Sequence, residues 1–337
     1  MLIEPGVISV SHPRVAVVIP YFQRSRGLLV RAVVSVFDQD YQPRPLVVVI
    51  DDSSPVRAED EILELPNELQ PYVMVYRQAN AGPGAARNRG LDLIPDEVEY
   101  VAFLDSDDQW LPGHLPRAIS ALMTGRDFYF SNYLDIGSSK GGFETRKLID
   151  FALHEPIAQV PGTYAYSDDL CNAILTGCPI ETSTVVFRRD AFHHLRFRRE
   201  FRHAYEDLMF WFEAAARHTQ VAFSSEIGCQ YGSGVNVYRG IQADSDASLR
   251  AIICSTCFRS GVKASFRLTV GQRARVLARL RENRKALAYA LLHRLRRRRP
   301  LLWRELASFF RADPVASVLL PWEMVQHIVR WMKGGRT

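Results

Sequence analysis

The 337-residue chain has only five cysteines: Cys171, Cys178, Cys229, Cys254 and Cys257. They are too few and too irregularly spaced for a disulfide scaffold, so a reduced, intracellular chain is expected. Cys254-Ser-Thr-Cys257 has CxxC spacing but no second pair and no thioredoxin-like context, and it reads as two buried thiols on a helix. No apolar run approaches the roughly 20 residues of a membrane-spanning helix. Glu4, Pro5 and His12-Pro13 interrupt any apolar start, so no export signal is expected. Internal repeats are absent. The turn Gly82-Pro83-Gly84 lacks the Lys-Ser/Thr of a Walker loop and the GxGxxG of a dinucleotide fold. His193-His194 is a poor zinc site, because adjacent histidines diverge and no third ligand suggests itself.

What the chain does have is a packable composition, 47% hydrophobic and 23% charged, which calls for a globule rather than a disordered chain. Its net charge of +5 conceals an asymmetry. From residue 261 onward there are 18 Lys/Arg against 4 Asp/Glu, an excess of 14, while residues 1–260 carry 24 against 33, a deficit of 9. Any partner recruited by this charge should be anionic and should meet the C-terminal segment.

Val15–Ile19 and Leu46–Ile50 are short, continuous, β-branched runs of the buried-strand type. The first is ended by Pro20 and the second by Asp51-Asp52. Val73–Tyr76 and Tyr100–Leu104 add two more strands. Helices are predicted over Leu28–Phe37, around Glu59–Leu69 and over Ala85–Leu93. This alternation implies an α/β fold with a mainly parallel sheet covered on both faces. In such sheets ligands bind beyond the carboxyl ends of the strands. Pro20-Tyr21, Asp51-Asp52 and Asp105–Asp108 all stand at those ends. Farther on, Tyr133–Gly162 reads as loop-rich, Thr184–Phe187 as a strand, and Tyr205–Arg217 and Gly271–Arg299 as helices. Leu301–Lys333 reads as a helical stretch broken at Pro314 and Pro321.

Asp105, Asp107 and Asp108 follow one strand within four residues. Their mutual repulsion must be offset. A hard divalent cation does this, since Mg²⁺ or Mn²⁺ takes one or two protein carboxylates and completes its shell with substrate phosphates. A solvated turn with capping aspartates is the plainer alternative.

Four segments carry a resemblance. Val17-Val-Ile-Pro-Tyr-Phe22, Ile50-Asp-Asp-Ser-Ser54, Asn80-Ala-Gly-Pro-Gly-Ala-Ala-Arg-Asn-Arg-Gly90, and Phe103-Leu-Asp-Ser-Asp-Asp108 with Trp110 and Pro112 resemble, in order and spacing, the motifs of family 2 glycosyltransferases. The resemblance covers about residues 14–240. It implies a GT-A, Rossmann-like catalytic domain over 1–260, with a nucleotide-sugar half (14–112) and an acceptor half (113–260). A basic helical extension (261–337) would follow. It further implies an inverting, metal-assisted transfer from a nucleotide-sugar, most often a UDP-sugar.

Residue by residue, the resemblance places Pro20 and Tyr21 at the base pocket, largely through backbone. Asp52 accepts from the nucleobase, and Arg87 and Asn88 lie near the diphosphate and donor sugar. Asp105 approaches the ribose and the metal, Asp107 ligates the metal, and Asp108 has no settled role. The general base falls on Asp207, with Glu206 beside it, after the Thr182–Phe187 strand. First-turn acids of an amphipathic helix are the ordinary alternative for that pair. Tyr238-Arg239 matches a family Tyr-Arg, and Arg239 would reach the diphosphate, but the His that often follows is missing. The QxxRW of processive synthases is absent too, which favours addition of a single sugar.

The C-terminal segment interleaves Arg273, Arg275, Arg279, Arg281, Arg284 and Lys285 with Val276, Leu277, Leu280 and Leu287, and adds Trp303, Trp322 and Trp331. Over residues 271–333 this reads as an interfacial helix on an anionic membrane surface. Peripheral attachment to the cytoplasmic face and a lipid-linked or cell-surface glycan acceptor would follow. A helical hairpin packed on the catalytic domain or pairing two copies is the alternative. No recognition motif for nucleic acid accompanies the charge. Two other functions share parts of the pattern: a nucleotidyltransferase, which needs a better basic loop than Gln23-Arg24-Ser25-Arg26, and a non-catalytic nucleotide-sugar-binding membrane scaffold, which needs no base.

Overall fold

In the computed structural model, residues 14–202, 204–217, 219–234 and 245–334 are described. Among these, the residues within Met1–Arg202 and Phe210–Val235 form one compact unit and those within His203–Met209 and Asn236–Thr337 another.

The first unit is built on β1 (Val15–Tyr21), β2 (Leu46–Asp51), β3 (Val73–Arg77) and β4 (Tyr100–Phe103), all parallel in the order β3-β2-β1-β4. Every residue of β1 is buried, as a strand covered on both faces must be. Pro20 lies inside β1 instead of ending it. The Val18 carbonyl accepts from Leu104 N–H, so Pro20, two residues on, turns to the same side, beyond the last paired residue of β4. No ladder bond is lost there. The helices α1 (Leu28–Phe37) and α3 (Pro83–Leu93) cover the sheet. A Cβ at Gly90 would overlap Val18, so α3 packs on β1 at a distance that only glycine allows. The helix expected around 59–69 is confined to α2 (Ala58–Ile62), because Pro66 disfavours helical backbone at Leu65.

The sheet continues through β9 (Val186–Arg188), β6 (Phe128–Leu134), β10 (Val221–Gln230), β8 (Thr163–Ala165) and β7 (Glu155–Pro156), while β5 (Gln109–Trp110) pairs with the end of β10. β9 is antiparallel to both β4 and β6, and β6 is parallel to β10. Six strands (β1, β2, β3, β4, β6 and β10) therefore end on one edge of the sheet. The shorter helices are α4 (His114–Met123), α5 (Gly142–Arg146), α6 (Leu170–Gly177) and α7 (Arg189–Phe192). α8 (Glu206–Ala215) brings Phe210 and Trp211 into a ring cluster with Phe103, Phe128, Phe187 and Phe197.

The second unit holds α9 (Asp246–Ser265), α10 (Val270–Arg296), α11 (Trp303–Ala312) and α12 (Ala316–Gly334). Of α9, only the stretch around Cys254 and Cys257 is legible as a helix in the sequence, and the expected boundary at residue 260 falls within it. Cys254 and Cys257 lie on this helix, where burial pushes the Cys254 thiol up to about 12. Thr269 and Gln272 close a capping box at the start of α10. Leu249, Ile253, Leu287, Leu291, Leu306, Phe309 and Leu320 form its core. Pro314 separates α11 from α12, but Pro321 does not break α12. It stands in the second turn, where it removes a single backbone bond.

Candidate active site

The strand ends of the first unit are laced together by buried polar side chains. Asp51 is fully buried; its carboxylate accepts from Ser54 N–H at 2.7 Å and from Ala58 N–H at 3.1 Å, capping α2. Asp52, 3% exposed, accepts from Ala81 N–H, Gly82 N–H and the Gln78 side chain, each at 2.8 Å. It thereby pins the Gly-Pro-Gly turn that opens α3. The Ser54 hydroxyl exchanges bonds with the Gln23 backbone, and the Gln23 amide donates to Ser106 Oγ at 3.0 Å. One buried network thus ties the ends of β1, β2 and β4. Tyr21 contributes only backbone at this edge: its carbonyl accepts from Asp52 N–H, and its ring is fully buried in the core. Burial and the Glu61 carboxylate raise its phenol above the ordinary range.

The acidic run is held from three sides. Arg87, 3% exposed on α3, donates to Asp105 Oδ1 at 2.6 Å, and its guanidinium lies over the Phe197 ring. Asn88 is turned elsewhere, exchanging two 2.8 Å bonds with the Phe197 backbone. Ser183 donates to Asp108 at 2.6 Å and accepts from Asp105 N–H, while its carbonyl accepts from the Trp110 indole. From beyond β10, Gly232 N–H donates to Asp108 at 2.9 Å and Gly234 N–H to Asp107 at 2.8 Å. A Cβ on Gly232 would overlap the Asp107 carbonyl, and one on Gly234 would press on the Asp107 carboxylate at 2.7 Å. Only glycine lets this strap close on the aspartates.

These contacts separate the three carboxylates. Asp108 is buried and braced by Ser183 and Gly232. Burial, then the Asp105 and Asp107 charges, raise its carboxyl well above the usual range. It is therefore a support within the turn. Asp105 and Asp107 stay half-buried. Among the described residues no cluster of three or more His, Cys, Asp or Glu is gathered as a complete metal set. Two hard carboxylates at a strand edge nevertheless fit Mg²⁺ or Mn²⁺, which draws most of its remaining ligands from water and substrate phosphate.

Glu206 and Asp207 open α8, and their contacts assign them to the second unit. Tyr205, just before them, has a φ of +67°, a strained backbone for a non-glycine residue of the kind concentrated at functional sites. Asp207 accepts from Leu208 N–H at 2.7 Å, and Glu206 is buried. Arg239 lies outside the described residues. Sequence reasoning assigned no role to Gln23, Ser54, Ser106, Ser183, Gly232 or Gly234, although Ser54 and Ser106 lie inside the segments that carry the family resemblance.

A mainly parallel sheet with acidic turns at one edge is the architecture of the GT-A class of nucleotide-sugar enzymes. The sequence profile of glycosyl transferase family 2 matches residues 16–195, and the chain belongs to that family of glycosyltransferases. Succinoglycan biosynthesis protein ExoW of Rhizobium meliloti (strain 1021) is 33% identical over 249 residues, covering 70% of this chain and 74% of that protein. Two solved structures share the fold. Staphylococcus aureus TarS 1–349 in complex with UDP has a TM-score of 0.52 at 17% identity, covering 92% of this chain and 86% of that one. The mannosyltransferase PcManGT from Pyrobaculum calidifontis, in complex with GDP-Man and Mn²⁺, has a TM-score of 0.54 at 16% identity, covering 94% and 86%.

Proposed function

We propose that the chain moves a single sugar from a UDP-sugar to a hydroxyl of a glycan acceptor, lipid-linked or at the cell surface, with inversion at the anomeric carbon. The observation that carries this reading is the strap of Gly232 and Gly234 over Asp107, beside the Arg87–Asp105 pair. It holds two half-buried carboxylates at the edge where α/β sheets bind ligands.

In this reading Pro20 and Tyr21 border the base through their backbone. Asp52 already accepts three bonds, and its remaining acceptor capacity serves a uracil N–H. Arg87 serves the diphosphate by fixing and partly neutralising Asp105, which approaches the ribose. Asn88 acts on the donor side by holding Phe197, and Arg239 completes the diphosphate contacts. Asp107, with Asp105, would hold Mn²⁺ or Mg²⁺, whose charge would offset that of the departing diphosphate. Asp207 takes the acceptor proton as the hydroxyl oxygen bonds to the anomeric carbon. The carbon–oxygen bond to the nucleoside diphosphate breaks, and its electron pair leaves with the phosphate oxygen. Glu206 supports Asp207, and the positive end of α8 favours its ionised form. The segment 271–333 brings the enzyme to an anionic membrane surface, on the cytoplasmic side, where such acceptors are presented.

The test is metal-dependent release of nucleoside diphosphate from a panel of sugar nucleotides. UDP release that needs Mn²⁺ or Mg²⁺ and is lost in Asp107→Asn is the expected result. Consumption of a nucleoside triphosphate instead would make the chain a nucleotidyltransferase. Binding without release from any donor would make it a scaffold.

A further inference from the structure

Tyr205 leads the chain into α8 with a φ of +67°, a region that a bulky side chain occupies only where its surroundings hold it there. Its carbonyl accepts from Met209 N–H at 3.1 Å and so opens the first turn of the helix, and Glu206 and Asp207 are the next two residues. The groups that hold it belong to α9 and lie in the same unit. The Tyr205 ring is 5.6 Å from the Phe258 ring, and the Arg259 guanidinium stands over it, 6.0 Å from its centroid.

Arg259 is a costly residue at this place. It is only 8% exposed, and burial lowers its pKa from the ordinary guanidinium value. Its hydrogen bonds go to neutral groups one turn back on α9, the Ser255 carbonyl at 3.2 Å and the Ser255 hydroxyl at 2.9 Å. The same hydroxyl accepts from the Asn283 side chain of α10 at 2.9 Å, and Asn283 also bonds the Thr256 hydroxyl at 3.0 Å. A buried cation answered by neutral groups costs folding free energy that an apolar side chain of similar size would not. What it adds is a fixed direction: a planar guanidinium tied down by serine presents a rigid cationic face to an aromatic ring.

We propose that Arg259 is a positioning residue: anchored through Ser255 to α10, it holds the Tyr205 ring and so fixes the turn that presents Asp207. This rests on the reading of Asp207 as the general base, and deepens it. The helices of the second unit then serve the chemistry by setting the direction in which the Asp207 carboxylate leaves the start of α8. Proton transfer is sensitive to that direction, since a misplacement of about 1 Å can cost a large factor in rate.

The test reads UDP release from the preferred sugar nucleotide of the panel, under single-turnover conditions for the slow variants. Arg259→Met should lower kcat about tenfold and leave the donor KM and the UDP affinity within about twofold. In the Asp207→Asn background the same substitution should have no further effect, because the group it positions has lost its function. Wild-type kcat in Arg259→Met overturns the proposal, and so does an equal loss in both backgrounds. Tyr205→Gly is the second variant. Glycine adopts a φ of +67° without strain, so the turn keeps its shape and loses only the ring. Its kcat should fall as in Arg259→Met, and wild-type kcat there overturns the proposal too. Hydrogen exchange without substrate judges the anchor apart from the chemistry. Arg259→Met should speed exchange of the Met209 amide severalfold and leave the amides of α12 unchanged. Unchanged exchange at Met209, or a uniform rise across α9–α12, makes Arg259 an ordinary packing residue. Wild-type turnover by Asp207→Asn sinks the reading of Asp207 as base, and the exchange result still decides whether Arg259 holds the turn.

Discussion

At the strand ends of the first unit carboxylates are gathered, and backbone N–H groups answer most of them. Asp51, Asp52, Asp107 and Asp108 together receive N–H from Ser54, Ala58, Ala81, Gly82, Gly234 and Gly232, with Arg87 on Asp105 as the guanidinium in the cluster. In the second unit arginines are gathered instead, and the buried ones meet carbonyls and carboxylates. Arg294 bonds the Pro300 carbonyl and pairs with Asp246, and Arg284 forms a two-pronged pair with Asp313. Backbone N–H groups stabilise a carboxylate without cancelling its charge, so the first unit keeps acidic charge at the edge where the proposed cation would bind. Pairing cancels the buried guanidinium charges of the second unit and leaves positive potential to its exposed arginines.

Removing charge should therefore act on chemistry at Asp107 and at Asp207, the acid that opens α8 in the second unit, and on folding at the buried arginine pairs. The largest effects are expected at the acidic residues. Asp107→Asn should abolish metal stimulation of UDP release, and Asp207→Asn should lower turnover on the order of a thousandfold with donor binding intact. Calorimetric titration with UDP separates the two, since the Asp207 variant should titrate like the wild type. Wild-type turnover in the latter would remove Asp207 from the mechanism.

Asp313→Ala should cost the second unit about 3 kcal/mol, because it strands the Arg284 guanidinium in a largely buried position. Denaturant unfolding followed on α-helical signal reads the loss, and UDP affinity should not change. A matched loss of UDP binding would mean that the two units do not divide the work in this way.

Gly232→Ala acts on the other side of the comparison with a smaller effect. The added methyl meets the Asp107 carbonyl, so the strap must shift, at about 2 kcal/mol of strain. Because the strap holds Asp107, the apparent metal affinity should fall with the melting temperature. Serine at this position should behave like alanine, since the Cβ alone makes the clash. A metal response equal to wild type would reduce the strap to a packing detail.

The two regions also differ in what their sequences disclose. β1, β2 and α1 are legible because continuous β-branched runs and a helical apolar spacing leave few other folds. β6 and β10 are not: Ser131, Asn132 and Ser224 interrupt their apolar pattern, and the structure uses these side chains for bonds to backbone. At the site, Asp52, Asp105 and Asp107 stand out as charges at strand ends. Ser183 and the two strap glycines act across 75 to 127 residues of chain, and nothing local marks them. In the second unit composition reveals the charge but cannot tell a buried arginine from an exposed one. Arg294 and Arg297 look alike in sequence, yet one is 1% exposed and the other stands in solvent.

The smallest expected effect concerns acid. His114 is fully buried in the first unit, with its ring against Trp110 and Tyr129 and its Nδ1 3.4 Å from Ser131 Oγ. Burial, with a lesser push from Arg117, lowers its pKa to about 3. The folded chain therefore keeps this imidazole neutral while the unfolded chain protonates it near the ordinary value of about 6.5. More protons on the unfolded side mean that the contribution is fully present above the unfolded pKa and is lost as pH falls toward the folded one. Between pH 7.5 and 5.5 the first unit should lose about 1.4 kcal/mol through this residue alone. Acid should thus loosen the sheet before the helices, and His114→Gln, which cannot take the proton, should flatten the pH dependence of the first unfolding transition. If the variant keeps the wild-type slope, the acid sensitivity lies in the gathered carboxylates, and the contrast between the units rests on them alone.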